Sequence, residues 1–346
     1  MDRSPVPLGD DELVVLRLMA EGHTVEAVAR RLDVSERTVR RKSRSACEAV
    51  GVDTTVEATC GPCDDGSSDR PPAPATTVQH RGRMPTVRVA LQITCVNDAM
   101  FPDTGKAVVR LLRRLGVDVD FPGAQTCCGQ PMVNTGYLDE AVPVVRAFVD
   151  AFAGYDAIVT PSGSCAGSAR HQHSIVAERS GDPALVAAVA ETAPRTYELT
   201  EFLVDVLGVT DVGAYFPHRV TYHPTCHSLR MLGVGDRPRQ LLEQVRGIEL
   251  VELPNATECC GFGGTFALKN ADTSIAMGAD KARHVRDTGA EVLVAGDNSC
   301  LMHIGGMLSR QRAGVRVMHL AEILAATEDD EAESSGPAVG ARAEGA

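Results

Sequence analysis

The tripeptide Cys-Cys-Gly occurs twice in this chain, as Cys127-Cys128-Gly129 and Cys259-Cys260-Gly261, and each copy lies between two further cysteines at nearly the same distances. In the first set 31 residues separate Cys95 from Cys127, and 36 separate Cys128 from Cys165. In the second, 32 separate Cys226 from Cys259, and 39 separate Cys260 from Cys300. Eight of the 11 cysteines therefore form two sets of four. Four thiolates are what one iron–sulfur cluster takes from a protein. Any fold this chain adopts must bring three separate segments to one point, twice.

Other uses of these cysteines can be weighed on geometry. Adjacent Cα atoms lie about 3.8 Å apart, short of the roughly 4.4–6.8 Å that a disulfide spans, so each vicinal pair is a poor disulfide. The amino terminus has no positively charged start followed by an apolar run. No secretory signal is expected, and the cytoplasm, where thiols stay reduced or bind metal, is the expected compartment. Structural zinc prefers two close pairs such as C-x2-C, and one-plus-two-plus-one sulfurs from three segments favour iron–sulfur over zinc or over inert buried thiols.

The offsets between corresponding cysteines are 131, 132, 132 and 135 residues, which marks an internal duplication. Each half opens with a strand, Val87–Thr94 or Arg219–Tyr222, that delivers its first cysteine. An amphipathic helix follows, Gly105–Leu115 or Arg237–Arg246, then a short strand before each Cys-Cys-Gly. After a further helix, the runs 157–160 and 291–295 lead to the last cysteine. Strands alternating with helices predict parallel α/β halves, with all four sulfurs in loops at strand carboxyl ends, where open α/β sheets bind ligands. Gly129, Gly261, Gly263 and Gly264 would let the backbone approach a bulky cluster and aim amides at its sulfides, tuning its reduction potential; the plain alternative is that they are turn glycines.

Texture divides the rest. Residues 1–58 are charged and helix-periodic, 59–86 are rich in Pro, Gly, Ser, Thr and Asp and read as a disordered linker, 87–208 and 209–325 are the two α/β halves, and 326–346 form a disordered acidic tail. Cys60-Gly61-Pro62-Cys63 has dithiol spacing but no flanking strand and helix, so it reads as coincidence. An apolar content of 44% supports proper cores. No uncharged apolar run approaches 18 residues, so no membrane insertion is expected. Forty-six acidic against 34 basic residues, net −12, disfavours broad affinity for nucleic acid or anionic membranes. Aromatics at 4% and no Trp disfavour single-strand stacking platforms.

From about Val87 to Leu324 the chain resembles the cysteine-rich CCG family, whose members include the cysteine-rich component of heterodisulfide reductase and, more closely, lactate utilization protein A. The likeness rests on 91–98 (LQITCVND), 125–131 (QTCCGQP), 162–167 (SGSCAG), 222–227 (YHPTCH) and 258–264 (ECCGFGG). In the heterodisulfide reductase branch each motif ends in C-x2-C; here Ser168 and His303 stand at those positions. The lactate-utilization branch is similar in lacking that final cysteine, which implies two ordinary [4Fe-4S] sites. His303, with His223 and His227 beside the second set, is a candidate extra ligand or supporting residue, since imidazole can replace thiolate on iron.

Residues 8–58 resemble a LuxR-type helix-turn-helix domain, with helices from Asp11, from Thr24 to Leu32, and from Ser35. Thr24 and Ser35 suit N-caps, and Gly22 suits a helix end. Arg37, Arg40, Arg41, Lys42 and Arg44 concentrate positive charge on the third helix, as DNA contact requires; the plain alternative is a basic helix for protein contacts.

Three functions compete. The resemblance implies first an iron–sulfur electron-transfer subunit of an L-lactate oxidation system, an oxidoreductase component that needs companion subunits, one of them a second iron–sulfur protein. No flavin or nicotinamide motif and no assignable catalytic acid–base pair is present. The second is thiol/disulfide chemistry at a cluster, disfavoured by Ser168 and His303; the third is a redox-sensing regulator that binds DNA through residues 35–44. If the third helix contacts DNA, the full chain titrated against duplex DNA binds with strong salt dependence, and each Arg→Ala change that removes a phosphate contact lowers the log–log salt slope by about one. Absence of binding at low salt assigns that helix to protein contacts.

Overall fold

A computed structural model of the chain describes residues 88–330 and, nearer the amino terminus, 14–15, 25–35, 38–39 and 42. The chain divides into two compact units after Arg81. In the first, a helix spans Val25–Arg31. Val15, Val28, Ala29 and Val39 form a small buried cluster, with Leu32 and Val34 packed against it. Ser35 Oγ accepts from the Thr38 amide at 3.2 Å, the expected N-cap. Lys42 is helical and half-buried. Arg37, Arg40, Arg41 and Arg44, the stretch 59–86 and the tail from 331 lie outside the described residues.

The second unit is built on two four-stranded parallel sheets. Strands β1 (Val89–Leu91), β2 (Val119–Asp120), β3 (Ala157–Thr160) and β4 (Thr196–Glu198) stand in the order β2-β1-β3-β4. Strands β5 (Arg219–His223), β6 (Glu249–Val251), β7 (Val292–Ala295) and β8 (Arg316–His319) repeat it as β6-β5-β7-β8. The central strands β1, β3 and β7 are buried along their whole length, as apolar runs sandwiched by helices on both faces must be.

The predicted strand 87–94 forms a ladder only over Val89–Leu91. Beyond it the Ile93 amide donates to the Gln125 side chain, and Thr94 takes a left-handed φ of 69°, which turns the chain toward Cys95. The predicted helix 105–115 begins earlier, at Pro102, because proline suits a first helical turn. Its counterpart ends at Glu243. Strands β4 and β8 have no signal in the hydrophobic pattern: Thr-Tyr-Glu and Arg-Val-Met-His are short and half polar.

The halves exchange their closing helices. Leu320–Ala325, after β8, packs on Pro102–Arg114 of the first half, and the Arg114 guanidinium donates to the terminal carbonyls of Leu324 and Ala325. Leu199–Glu201, after β4, packs on Arg237–Glu243 of the second half, and Arg237 pairs with Asp205 at 2.8 Å. Leu111, Leu112, Leu199, Phe202, Leu241, Leu242, Ile323 and Leu324 consequently share one core. Between the halves, helices Gly163–Gly167 and His227–Leu232 touch closely enough that a Cβ on Gly163 would sit 1.9 Å from Ser228 Oγ, and one on Gly167 2.6 Å from Met231 Sδ. Among the described residues, no helix is long and apolar enough to cross a membrane.

Glu198 closes β4 in this seam, 3% exposed, as the cap of the next helix: its carboxylate accepts from the amide and hydroxyl of Thr200. Burial pushes its pKa up to about 7, with the hydrogen bonds from Thr200 opposing. An acid raised in the folded state gives stability that is present below its unfolded value near 4.5 and is lost as pH rises to about 7. Glu198→Gln should therefore match the parent at about pH 4.5 and exceed it at about pH 8, on the order of 1–3 kcal/mol. Urea unfolding at the two pH values checks this; equal differences at both would refute it.

Candidate metal centres

Each set of four sulfurs is placed by the same three loops. Cys95 follows β1 and opens helix Cys95–Met100, where the Thr94 hydroxyl accepts from the Asn97 amide at 3.4 Å. Cys226 follows β5 in the same way, with Thr225 bonded to Ser228 at 2.8 Å. Cys165 lies in helix Gly163–Gly167 after β3, capped by Ser162, whose Oγ accepts from the Cys165 amide at 3.3 Å. Cys300 lies in helix Asn298–Arg310 after β7, capped by Asp297.

The vicinal cysteines sit in the loops after β2 and β6, where the following glycines carry left-handed φ of 82° (Gly129) and 90° (Gly261). Each glycine amide donates to the sulfur two residues before it, Gly129 to Cys127 and Gly261 to Cys259, at 3.4 Å in both cases. A Cβ on Gly261 would also meet the Ser274 carbonyl at 2.7 Å, whereas one on Gly129 would meet only Val144, at 3.6 Å; the left-handed φ is what both positions ask of glycine. Gly263 and Gly264 also have positive φ and line the cleft.

All eight cysteines line one cleft between the halves. Cys95 and Cys127 sulfurs lie 3.7 Å apart. Cys95 is exposed; Cys128, Cys260 and Cys300 are buried. Thiol hydrogen bonds from Cys128 and Cys95 hold Cys127 well below the usual thiol range, and Cys226 and Cys260 do the same to Cys259. In return Cys95, Cys128, Cys226 and Cys260 are raised, first by hydrogen bonding to those thiolates and then by burial. One thiol in each set ionises readily and its neighbours then resist. A bound cation relieves that opposition, because a coordinating thiol is deprotonated outright. The donor set, four soft thiols from three loops meeting in one cleft, fits an iron–sulfur cluster in each half.

The three candidate histidines differ in placement. His223 is fully buried, neither ring nitrogen has a hydrogen-bond partner, and it groups with the Cys260 and Cys300 sulfurs within 4.8 Å. Burial, then the Lys281 charge, push its pKa down to about 4, so the imidazole is neutral. His227 lines the cleft and meets Gln130 of the first half at 3.2 Å. His303 leans on the helix Ala271–Asp287, 3.3 Å from the Ser274 carbonyl. Ser168, at the other position of departure, is buried with its Oγ 3.5 Å from the Cys128 carbonyl.

Sequence reasoning missed Asp297. Its carboxylate accepts from Ser299 of its own half and from Ser162 Oγ (3.2 Å) and the Ser164 amide (3.0 Å) of the other, tying the Cys300 loop to the Cys165 loop. Asn298 similarly donates to Asn97 Oδ1 at 3.0 Å and Thr104 Oγ1 at 2.9 Å. The signal was present: Ser162 and Asp297 each stand three residues before a cysteine, as N-caps do before a helix.

The cysteine-rich CCG domain family matches residues 89–169 and 220–305. A helix-turn-helix family described as a homeodomain-like domain matches residues 10–45. Lactate utilization protein A of Oceanobacillus iheyensis is 50% identical over 238 residues, 69% of this chain and 96% of that protein. The protein of the same name from Geobacillus kaustophilus is 50% identical over 238 residues, covering 69% and 98%. Lactate utilization protein A 2 of Bacillus cereus strain AH820 is 43% identical over 239 residues, covering 69% and 98%.

The acidity pattern is testable in metal-free protein. At about pH 6, where an ordinary cysteine of pKa about 8.5 is protonated, iodoacetamide should alkylate Cys127 and Cys259 before Cys95, Cys128, Cys226 and Cys260. Peptide mass mapping reads the order; uniform labelling would contradict it.

Proposed function

This chain belongs to the lactate utilization protein A family of cysteine-rich CCG proteins, and we propose that it is an iron–sulfur electron-transfer subunit of an L-lactate oxidation system. The observation that carries the reading is the convergence of all eight paired cysteines on one cleft as two matching sets. Cys95, Cys127, Cys128 and Cys165 would hold one [4Fe-4S] cluster, and Cys226, Cys259, Cys260 and Cys300 the other. Such clusters supply one-electron transfer when bound.

The chain's own residues shield and orient those sites. Gly129 and Gly261 aim amides at thiolate sulfur, which favours the ionised ligand. Asp297 and Asn298 lock the two halves together beside the cysteines, so the two sites hold a fixed separation. An electron-transfer component needs companions to bind and oxidise lactate, and the family likeness points to companion lactate-utilization proteins, one with its own iron–sulfur clusters. The absence of a cysteine at Ser168 and His303 turns the reading away from heterodisulfide-type chemistry. The homeodomain-like match at residues 10–45 makes DNA a second candidate partner.

Two measurements test the proposal. Anaerobically prepared protein should hold about eight irons, two clusters of four, and Cys128→Ser or Cys260→Ser should each lose or convert one cluster and leave the other, read by iron analysis and Mössbauer spectra. Stoichiometric zinc with negligible iron overturns it. Purified alone the protein should not oxidise L-lactate; with its companions it should support lactate-dependent dye reduction. Equal rates with and without this chain remove the lactate assignment.

A further inference from the structure

The two sets of four cysteines are alike, but their surroundings are not. Strand pairing aligns β1 with β5 through Val89↔Ala157 and Val220↔Val292, so Gln92 in the first half corresponds to His223 in the second. The following helices align by burial. Ala141, Val145, Phe148 and Val149 in Leu138–Ala151 match Ser274, Gly278, Lys281 and Ala282 in Ala271–Asp287. Lys281 thus stands where the first half has Phe148.

Lys281 is 1% exposed. Burying an ammonium is costly unless it is paired, and here Nζ donates to the Asn255 carbonyl at 2.6 Å and the Ala256 carbonyl at 3.4 Å, in the loop leading to Cys259. Burial lowers its pKa, opposed by the Glu258 carboxylate and the Cys260, Cys226 and Cys259 sulfurs. The first half has an apolar ring at the matching position. Phe148 packs on Phe152 and edge-on to His173, and His173 meets the Cys128 carbonyl at 2.7 Å.

The acidic groups nearby do not cancel the difference. The Glu258 side chain is 55% exposed, so water screens it. Asp297 is buried, but its carboxylate accepts from Ser162 and Ser164 of the first half as well as from Ser299. Its negative charge therefore falls on both sites.

We propose that Lys281 makes the two thiolate sets electrostatically unequal, so that the second half holds the higher-potential centre and electrons run from the first half to the second. A fixed positive charge in a shielded site favours the reduced, more negative state of whatever group the adjacent thiolates hold. This rests on the reading of two iron–sulfur clusters and goes beyond it in assigning a direction.

The test is potentiometric EPR on anaerobically reconstituted full-length protein, after iron analysis has established two clusters. Cys127→Ser and Cys259→Ser proteins assign each signal to its half. The higher midpoint is expected in the half that Cys127→Ser leaves intact. Lys281→Gln, which retains a donor for the Asn255 carbonyl, should lower that midpoint by at least a tenfold change in the reduced-to-oxidised ratio, about 59 mV for one electron. It should leave the other midpoint in place, and Lys281→Arg should restore the parent value. A higher midpoint in the first half overturns the proposal even if Lys281→Gln cannot be folded, and so does a second-half midpoint that Lys281→Gln leaves unmoved. Lack of iron defeats the cluster reading instead, and the iron analysis tells the two failures apart.

Discussion

Thiols brought together in a shielded cleft oppose one another's ionisation. Cys127 and Cys259 give up their protons readily because Cys128, Cys95, Cys226, Cys260 and a glycine amide donate to them. The cost appears on the neighbours, whose ionisation is pushed far upward. A site with this balance is poised for a positively charged occupant, and metal affinity in such sites is coupled to folding. The rest of the architecture follows from holding the sulfurs together. Parallel sheets place three loops at one edge, helix caps fix Cys165 and Cys300, and left-handed glycines turn the vicinal pairs inward.

The two halves are not independent beads. Each lends its closing helix to the other, so Leu320–Ala325 covers Pro102–Arg114 and Leu199–Glu201 covers Arg237–Glu243. The seam next to the cysteines is polar and hydrogen-bonded, through Ser162 with Asp297 and Asn97 with Asn298. Buried polar networks of this kind have strict geometry. Under the proposed function that rigidity serves electron transfer, since the distance between the two sets is fixed by hydrogen bonds from one half to the other.

Much of this was legible in the chain because chemistry constrains it tightly. The cysteine offsets gave the duplication, and apolar runs such as 157–160 gave central strands that the structure reproduces at the same bounds. The glycine after each vicinal pair marked a tight backbone position, and both have left-handed φ. What was not legible depends on contacts between the halves. Strands β4 and β8 are short and half polar, and pattern alone does not raise them above a loop. Asp297 looks like one more cap until the other half is placed against it. The sequence does not rank the three candidate histidines; burial at the end of β5 brings His223, not His303, to the Cys260 and Cys300 sulfurs.

Lys281 is a difference between the halves that only their shared packing exposes. In sequence it is one basic residue in a helix rich in them, beside Arg283 and Arg286. Only the shared burial stripe reveals that it replaces Phe148 and faces inward. An ammonium at an interior position costs far more than an aromatic ring unless its surroundings use the charge. The carbonyls of Asn255 and Ala256 accept two of its hydrogens, and the Glu258 carboxylate and nearby cysteine sulfurs favour its charge. Duplication supplied two matching sets of thiols, and Lys281 for Phe148 is a buried difference in charge between their surroundings.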